Sequence, residues 1–160
     1  MAADYLLEID GIKGESEDQK HKDTIELQSW SWGVTQSGSM AHGGGGGTGK
    51  STVHDISFVS HVNKASPLLA KACATGEHIK KATLYVRKAG KEAQEYLVIK
   101  LSDILISSYQ SSASGHNHLP TEQFSINFTK IEMAYKTQKP DGTLGPGVEM
   151  GYDVKSGKAN

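Results

Sequence analysis

Apolar and polar positions alternate along most of this chain, and a period of two marks strands that are wet on one side. Tyr5 to Ile9 is a short apolar run closed by the turn pair Asp10-Gly11, and reads as a first strand. Thr24 to Val34 is strand-like but changes phase. Ile25 and Leu27 share one parity, while Trp30, Trp32 and Val34 share the other. One core cannot bury both sets, so either a β-bulge sits near Gln28 or Ser29, or both faces are covered, for instance by another subunit. With Trp30 and Trp32 pointing inward, Ser29 and Ser31 form a small polar face on the opposite side. Thr52 to Val62 is a further strand, carrying Ile56, Phe58 and Val62 on one side. The period then changes: Ser66 is placed as an N-cap, Pro67 suits the first helical position, Leu68 to Thr75 is rich in Ala and Leu, and Gly76 stops the helix. Cys73 lies one turn from Leu69 and is expected to pack as a small buried hydrophobe.

The remainder returns to alternation. Lys81 to Lys88 and Glu95 to Ile106 form a hairpin across Ala89-Gly90-Lys91, and Ser107 to Pro120 reads as a polar loop. In Glu122 to Thr137, Phe124, Ile126 and Phe128 share one parity and Ile131, Met133 and Tyr135 the other, which predicts a bulge near Thr129 or Lys130. Lys139-Pro140-Asp141-Gly142 is a turn, and Val148, Met150, Tyr152 and Val154 alternate in a last strand. Seven or eight strands with a single helix predict an all-β barrel or sandwich, one domain over residues 1–160.

Charge narrows the functional classes. Lys plus Arg number 17 against 18 Asp plus Glu, so the chain lacks the global basic footprint of a nucleic-acid or anionic-membrane binder. The start, MAADYLLEID, has neither a basic nor an apolar signal region, and no apolar run is long enough to cross a bilayer. A soluble protein that is not exported through a cleaved signal is expected. The single Cys73 excludes an internal disulfide, which suits folding in a reducing compartment.

Several stretches invite a chemical reading. Gln36 to Ser51 contains Gly44-x-x-x-x-Gly49-Lys50-Ser51, the text of a phosphate-binding loop. That loop needs a buried strand before it and a helix after it, whereas Ser51 here opens a period-two strand. The competing reading is a long glycine arm, Gly43 to Gly47, between two strands. His116-x-His118 sits in a polar stretch with no Cys or carboxylate at ligand spacing, and no Ser occupies a G-x-S-x-G elbow. Catalytic residues, metals and cofactors are therefore not expected. The acidic segment Gly14 to Asp23 lacks calcium-loop spacing and reads as a solvated loop. Trp30 and Trp32 fit a core better than a stacking platform. A small-ligand-binding β-barrel stays open as an alternative.

The sequence also resembles the Hcp family, the haemolysin-coregulated tube proteins of bacterial type VI secretion. The similar text comprises Ile12-Lys13-Gly14-Glu15-Ser16, Asp18, His21-Lys22, Ser29-Trp30-Ser31-Trp32-Gly33, Gln36-Ser37-Gly38-Ser39 and the glycine arm. It continues through Asp55-x-Ser57-Phe58, Lys64-Ala65-Ser66-Pro67-Leu68, Tyr85 to Gly90, and Glu122 to Tyr135. Gly151-Tyr152-Asp153 departs from it, where many members carry Trp. The resemblance implies a β-barrel of two curled antiparallel sheets with one flanking helix and an extended loop at about 36–51. It further implies homo-hexameric rings stacked into a hollow tube, propelled by a contractile sheath behind a spike protein, with effector proteins in the lumen. Such a chain is not an enzyme, and it is secreted by the apparatus after assembly in the bacterial cytoplasm. On this reading Ser29 and Ser31 face lumen and cargo. Gln36, Ser37, Ser39, Met40, His42, Gly43, Gly44, Gly45, Gly46, Gly47 and Lys50 form an arm that touches a neighbouring subunit or ring.

Overall fold

The computed structural model describes residues 3–38, 51–88, 94–116 and 119–160. The chain forms β1 (Ala3–Ile9), β2 (Ile25–Leu27), β3 (Ser29–Ser31), β4 (Val34–Gln36), β5 (Ser51–Val53) and β6 (Ile56–His61). Helix α1 (Ser66–Thr75) follows, then β7 (Ile79–Lys88), β8 (Gln94–Ser112), β9 (Thr121–Gln138), β10 (Leu144–Asp153) and β11 (Lys158–Ala159). All ladders are antiparallel. Nine strands make one sheet, ordered β11-β10-β9-β8-β7-β1-β2, with β6 on the free edge of the first part of β9 and β3 beyond it. Strands β4 and β5 form a separate ribbon.

The all-β class with one helix is as expected, but the barrel of two sheets is not closed by a continuous ladder. The reason lies at Gln28. Strand β2 pairs with β1 and β3 pairs with β6, so one stretch of chain changes partner in its middle. The Gln28 N–H already bonds to Val59 O at 2.8 Å. This partner change also explains the first phase slip: Ile25 is buried against one set of neighbours, and Trp30 and Trp32 pack on the core from the other.

The second slip has a different cause from the bulge expected at Thr129 or Lys130. Leu101 pairs with Ile131 and Ile104 with Phe128, all four buried, so β8 and β9 change facing together with their register intact. Asp103 supplies the kink through a left-handed φ of 49°, a conformation costly to most residues that Asp tolerates. The register shift in this ladder falls instead between Ile106 and Ser108. Residues 107–112, expected in a polar loop, therefore continue β8, because β9 offers a partner as far as Thr121.

The core gathers Leu7, Ile25, Ile56, Phe58, Leu84, Ile99, Leu101, Ile104, Phe124 and Ile126, with the Phe58 and Phe124 rings 5.2 Å apart. Helix α1 covers it with Leu69 and Ala72, and Cys73 packs there half-buried. Ser66 is not the N-cap. Ala65 holds that position without a side-chain cap; Asn63 Oδ1 accepts from the Ala65 N–H, and Ser66 Oγ from the Asn63 N–H. Gly76 ends the helix in left-handed geometry, as expected. The hairpin turn at 89–91 lies outside the described residues.

Candidate functional site

Cross-strand register builds one face from serine. Directly opposed residues share a side of the sheet, and Ser31 opposes Ser57, Ser57 opposes Ser125, and Ser125 opposes Ser108. A hydroxyl row thus crosses β3, β6, β9 and β8. The parallel row is Ser29, Val59, Gln123 and Gln110. Between them, on the opposite side, runs the aromatic row Trp30, Phe58, Phe124 and Tyr109, which packs on the core. Ser29 and Ser31 are exposed, as the parity of the tryptophans requires. Neither polar row contains a charged side chain.

At one end this face is tied down. Ser107 Oγ donates to Asp55 Oδ2 at 2.6 Å, Asn127 Nδ2 donates to Asp55 Oδ1 at 2.8 Å, and the Ser107 and Ser125 hydroxyls lie 2.7 Å apart. Ser29, Ser31, Gln110 and Gln123 make no side-chain hydrogen bond among the described residues, so their polar groups are available to a partner. Sequence reasoning found Ser29 and Ser31 but not Ser57, Ser108, Gln110 or Gln123. Only register reveals those four, because they come from three other strands.

The ribbon lies between β3 and β6 in chain order. Val34 opposes Val53 and Gln36 opposes Ser51; all of β4 is exposed, and Ser37 follows it. The ribbon is anchored by the Trp32 Nε1–H bond to His54 O at 3.0 Å and by the Ser51 hydroxyl, 3.3 Å from Tyr152 OH. Ser39, Met40, His42, Gly43 to Gly47 and Lys50 lie outside the described residues. Ser51 opens a strand, not a helix, so the helix terminus that a phosphate loop requires does not follow it.

The acidic segment is solvated at Glu15, Glu17, Lys20 and Lys22, as expected from its charge, but it is also pinned to the body of the protein. Ser16 is buried and closes a backbone pair with Asp23 at 2.9 Å, and Arg87, 6% exposed, clamps Asp18 with both guanidinium arms and reaches Asp4 at 3.3 Å. The Arg87 hydrogen bonds hold Asp18 down at a pKa of about 2, despite partial burial. His21 stacks on Tyr85, ring centroids 3.8 Å apart, and its Nε2 pairs with Glu95. A second buried network centres on Glu122, whose carboxylate accepts from Ser60 Oγ at 2.7 Å and Tyr109 OH at 2.8 Å. A groove of about 520 Å³ lies on the face of β8, β9 and β10 that carries Lys100, Glu132 and Glu149. No described helix is long and apolar enough to cross a membrane.

Together these features define an all-β scaffold with a sequestered core, ion-clamped loops and broad open sheet faces. The family model for the type VI secretion system effector Hcp matches residues 6–135. The Pseudomonas aeruginosa protein hcp1 is 43% identical over 157 residues, covering 97% of each chain. A solved type six secretion system protein superposes with a TM-score of 0.94 at 26% identity, over 99% of this chain and all of that one. Hcp1 from Salmonella typhimurium gives a TM-score of 0.81 at 34% identity, over the full length of both chains. The chain belongs to the Hcp family of type VI secretion system proteins.

Proposed function

We propose that this chain is a structural subunit of the secretion tube. Six copies close into a ring, rings stack into a hollow tube, and effector proteins occupy the lumen. A contractile sheath propels the tube and a spike protein tips it. Assembly takes place in the bacterial cytoplasm, release needs no cleaved signal, and the chain acts as scaffold and carrier, not as an enzyme. The observation that supports this reading best is the pair of rows, mostly hydroxyl and amide and without a charged side chain, that spans β3, β6, β9 and β8. A tube lumen must stay wet and admit different passengers, and neutral polar groups do both without selecting passengers by charge. Ser29 and Ser31 stand on that face as cargo contacts. The residues between β4 and β5 act as the contact between rings.

Replacing Ser31 with a bulky residue tests the lumen assignment. Ring mass should be unchanged and retention of a co-produced effector in a pull-down should fall. Full retention on intact rings would remove Ser31 from the cargo surface.

A further inference from the structure

The polar face has a third row, and that row carries an ionisable side chain. Beyond the row through Ser29 and Val59, His61 opposes Thr121, and Thr121 opposes Ser112. The pairing of β3 with β6 ends at Val59, short of this row, and the Gln28 side chain fills the place. The His61 Nε2 lies 2.9 Å from the Gln28 amide nitrogen. The other ring nitrogen, Nδ1, is enclosed and has no hydrogen-bond partner among the described residues.

That seat accommodates a neutral ring better than a charged one. A neutral imidazole has one N–H; with it on Nε2, the exposed Gln28 amide turns its oxygen to accept, and Nδ1 is left as a bare acceptor. An imidazolium has two N–H donors. Gln28 supplies an acceptor to one of them, and the enclosed Nδ1–H has none, which is costly for a charged donor. No ionised partner offsets this, since His61 makes no ion pair among the described residues. Glu122, next to Thr121 on β9, points to the other side of the sheet, where Ser60 and Tyr109 of β8 hold it. In the loop after β6, the Lys64 N–H donates to Glu15, and Glu26 of β2 lines the groove beside Arg87.

We propose that His61 is a pH-operated charge at the rim of the cargo face, seated against Gln28 when neutral and turned outward onto the face when protonated. This rests on the lumen reading above. Histidine is the side chain that ordinarily changes charge between about pH 5 and 8, and the two rows beside His61 carry no charge of their own. In acid, each copy then adds one positive charge to an otherwise neutral lining. Passengers with acidic surfaces are held more tightly there, and basic ones more weakly.

The test has two arms, both on the full-length protein. Crystal structures at about pH 8 and about pH 5.5 should show the His61 ring against Gln28 in the first and turned outward in the second. Fluorescence anisotropy then measures the binding of two short labelled peptides, one rich in Asp and one rich in Lys, at the same two pH values. The Asp-rich probe should bind wild type about two- to fivefold more tightly at the lower pH, the range an exposed charge pair supplies, and the Lys-rich probe more weakly. His61→Asn, checked by native mass for the wild-type assembly, should abolish both changes, which separates His61 from the other six histidines. A ring that keeps its seat at the lower pH, or a His61→Asn protein that keeps the wild-type pH response, would overturn the proposal. A ring that turns while neither probe binds at either pH would instead remove the cargo face, and the regulatory role with it.

Discussion

Asp18→Asn isolates the ion pair that pins the acidic loop. Arg87 is nearly fully buried, and both arms of its guanidinium meet Asp18, with one further contact to Asp4. The Arg87 hydrogen bonds hold the Asp18 carboxyl at about 2, against about 3.9 for a free aspartate, a difference that corresponds to ~2.5 kcal/mol. The Asp18 side chain is 21% exposed, so water screens part of this. The variant also leaves a buried cation short of its main partner, which raises the cost again. A net loss of about 2–3 kcal/mol follows, or about 5–10 °C in Tm for a chain of this length. The sign of the pH dependence is fixed by the direction of the shift. Folding lowers the pKa, so the contribution is complete above pH ~4 and is lost as pH falls toward about 2. Urea unfolding of both proteins at one protomer concentration, from pH 7 to 2.5, should show the wild-type advantage shrinking in that window. A gap under about 1 kcal/mol at pH 7, or one that does not shrink below pH 4, would refute the clamp.

Gly14→Ala should destabilise by about 2 kcal/mol or more, because its Cβ would lie 2.5 Å from Thr24 O and 2.8 Å from Ile25 Cα, both backbone atoms; a Tm within 2 °C of wild type would contradict this. Asp103→Gly should be neutral or mildly stabilising and Asp103→Val should cost about 1–2 kcal/mol, the expected order for a left-handed kink; the reverse order in denaturant melts would place the kink elsewhere. Tyr109→Phe removes a donor to the buried Glu122 carboxylate and should cost about 1–3 kcal/mol; an unchanged midpoint would mean water replaces it. Removing Gly43 to Gly47 should impair stacking of rings more than folding; a lowered Tm with tubes still forming would refute the proposed role of the segment between β4 and β5.

Most strands, the helix and its glycine stop were legible in the sequence, because period two, period 3.6 and Gly76 are local signals; the short β11 and the division of Thr24 to Val34 into separate strands were not. The two phase slips were also visible, at Gln28 and near Thr129. Their causes were not, since a partner change and a kink shared by two paired strands both depend on neighbours distant in sequence. Ser107 to Ser112 looked like a loop, having neither apolar alternation nor β-branched residues, and became strand because β9 continues opposite it. The Asp18 and Arg87 clamp joins residues 69 apart, beyond any local pattern. Likewise, parity gave Ser29 and Ser31, but only register extended them into a surface.

The central claim is self-assembly into a hollow tube, and an electron micrograph of the purified protein tests it most directly. Rings with an open centre, some of them stacked into tubes, are the expected result. Uniform particles the size of one 17.2 kDa chain, at micromolar concentration and above, would contradict it.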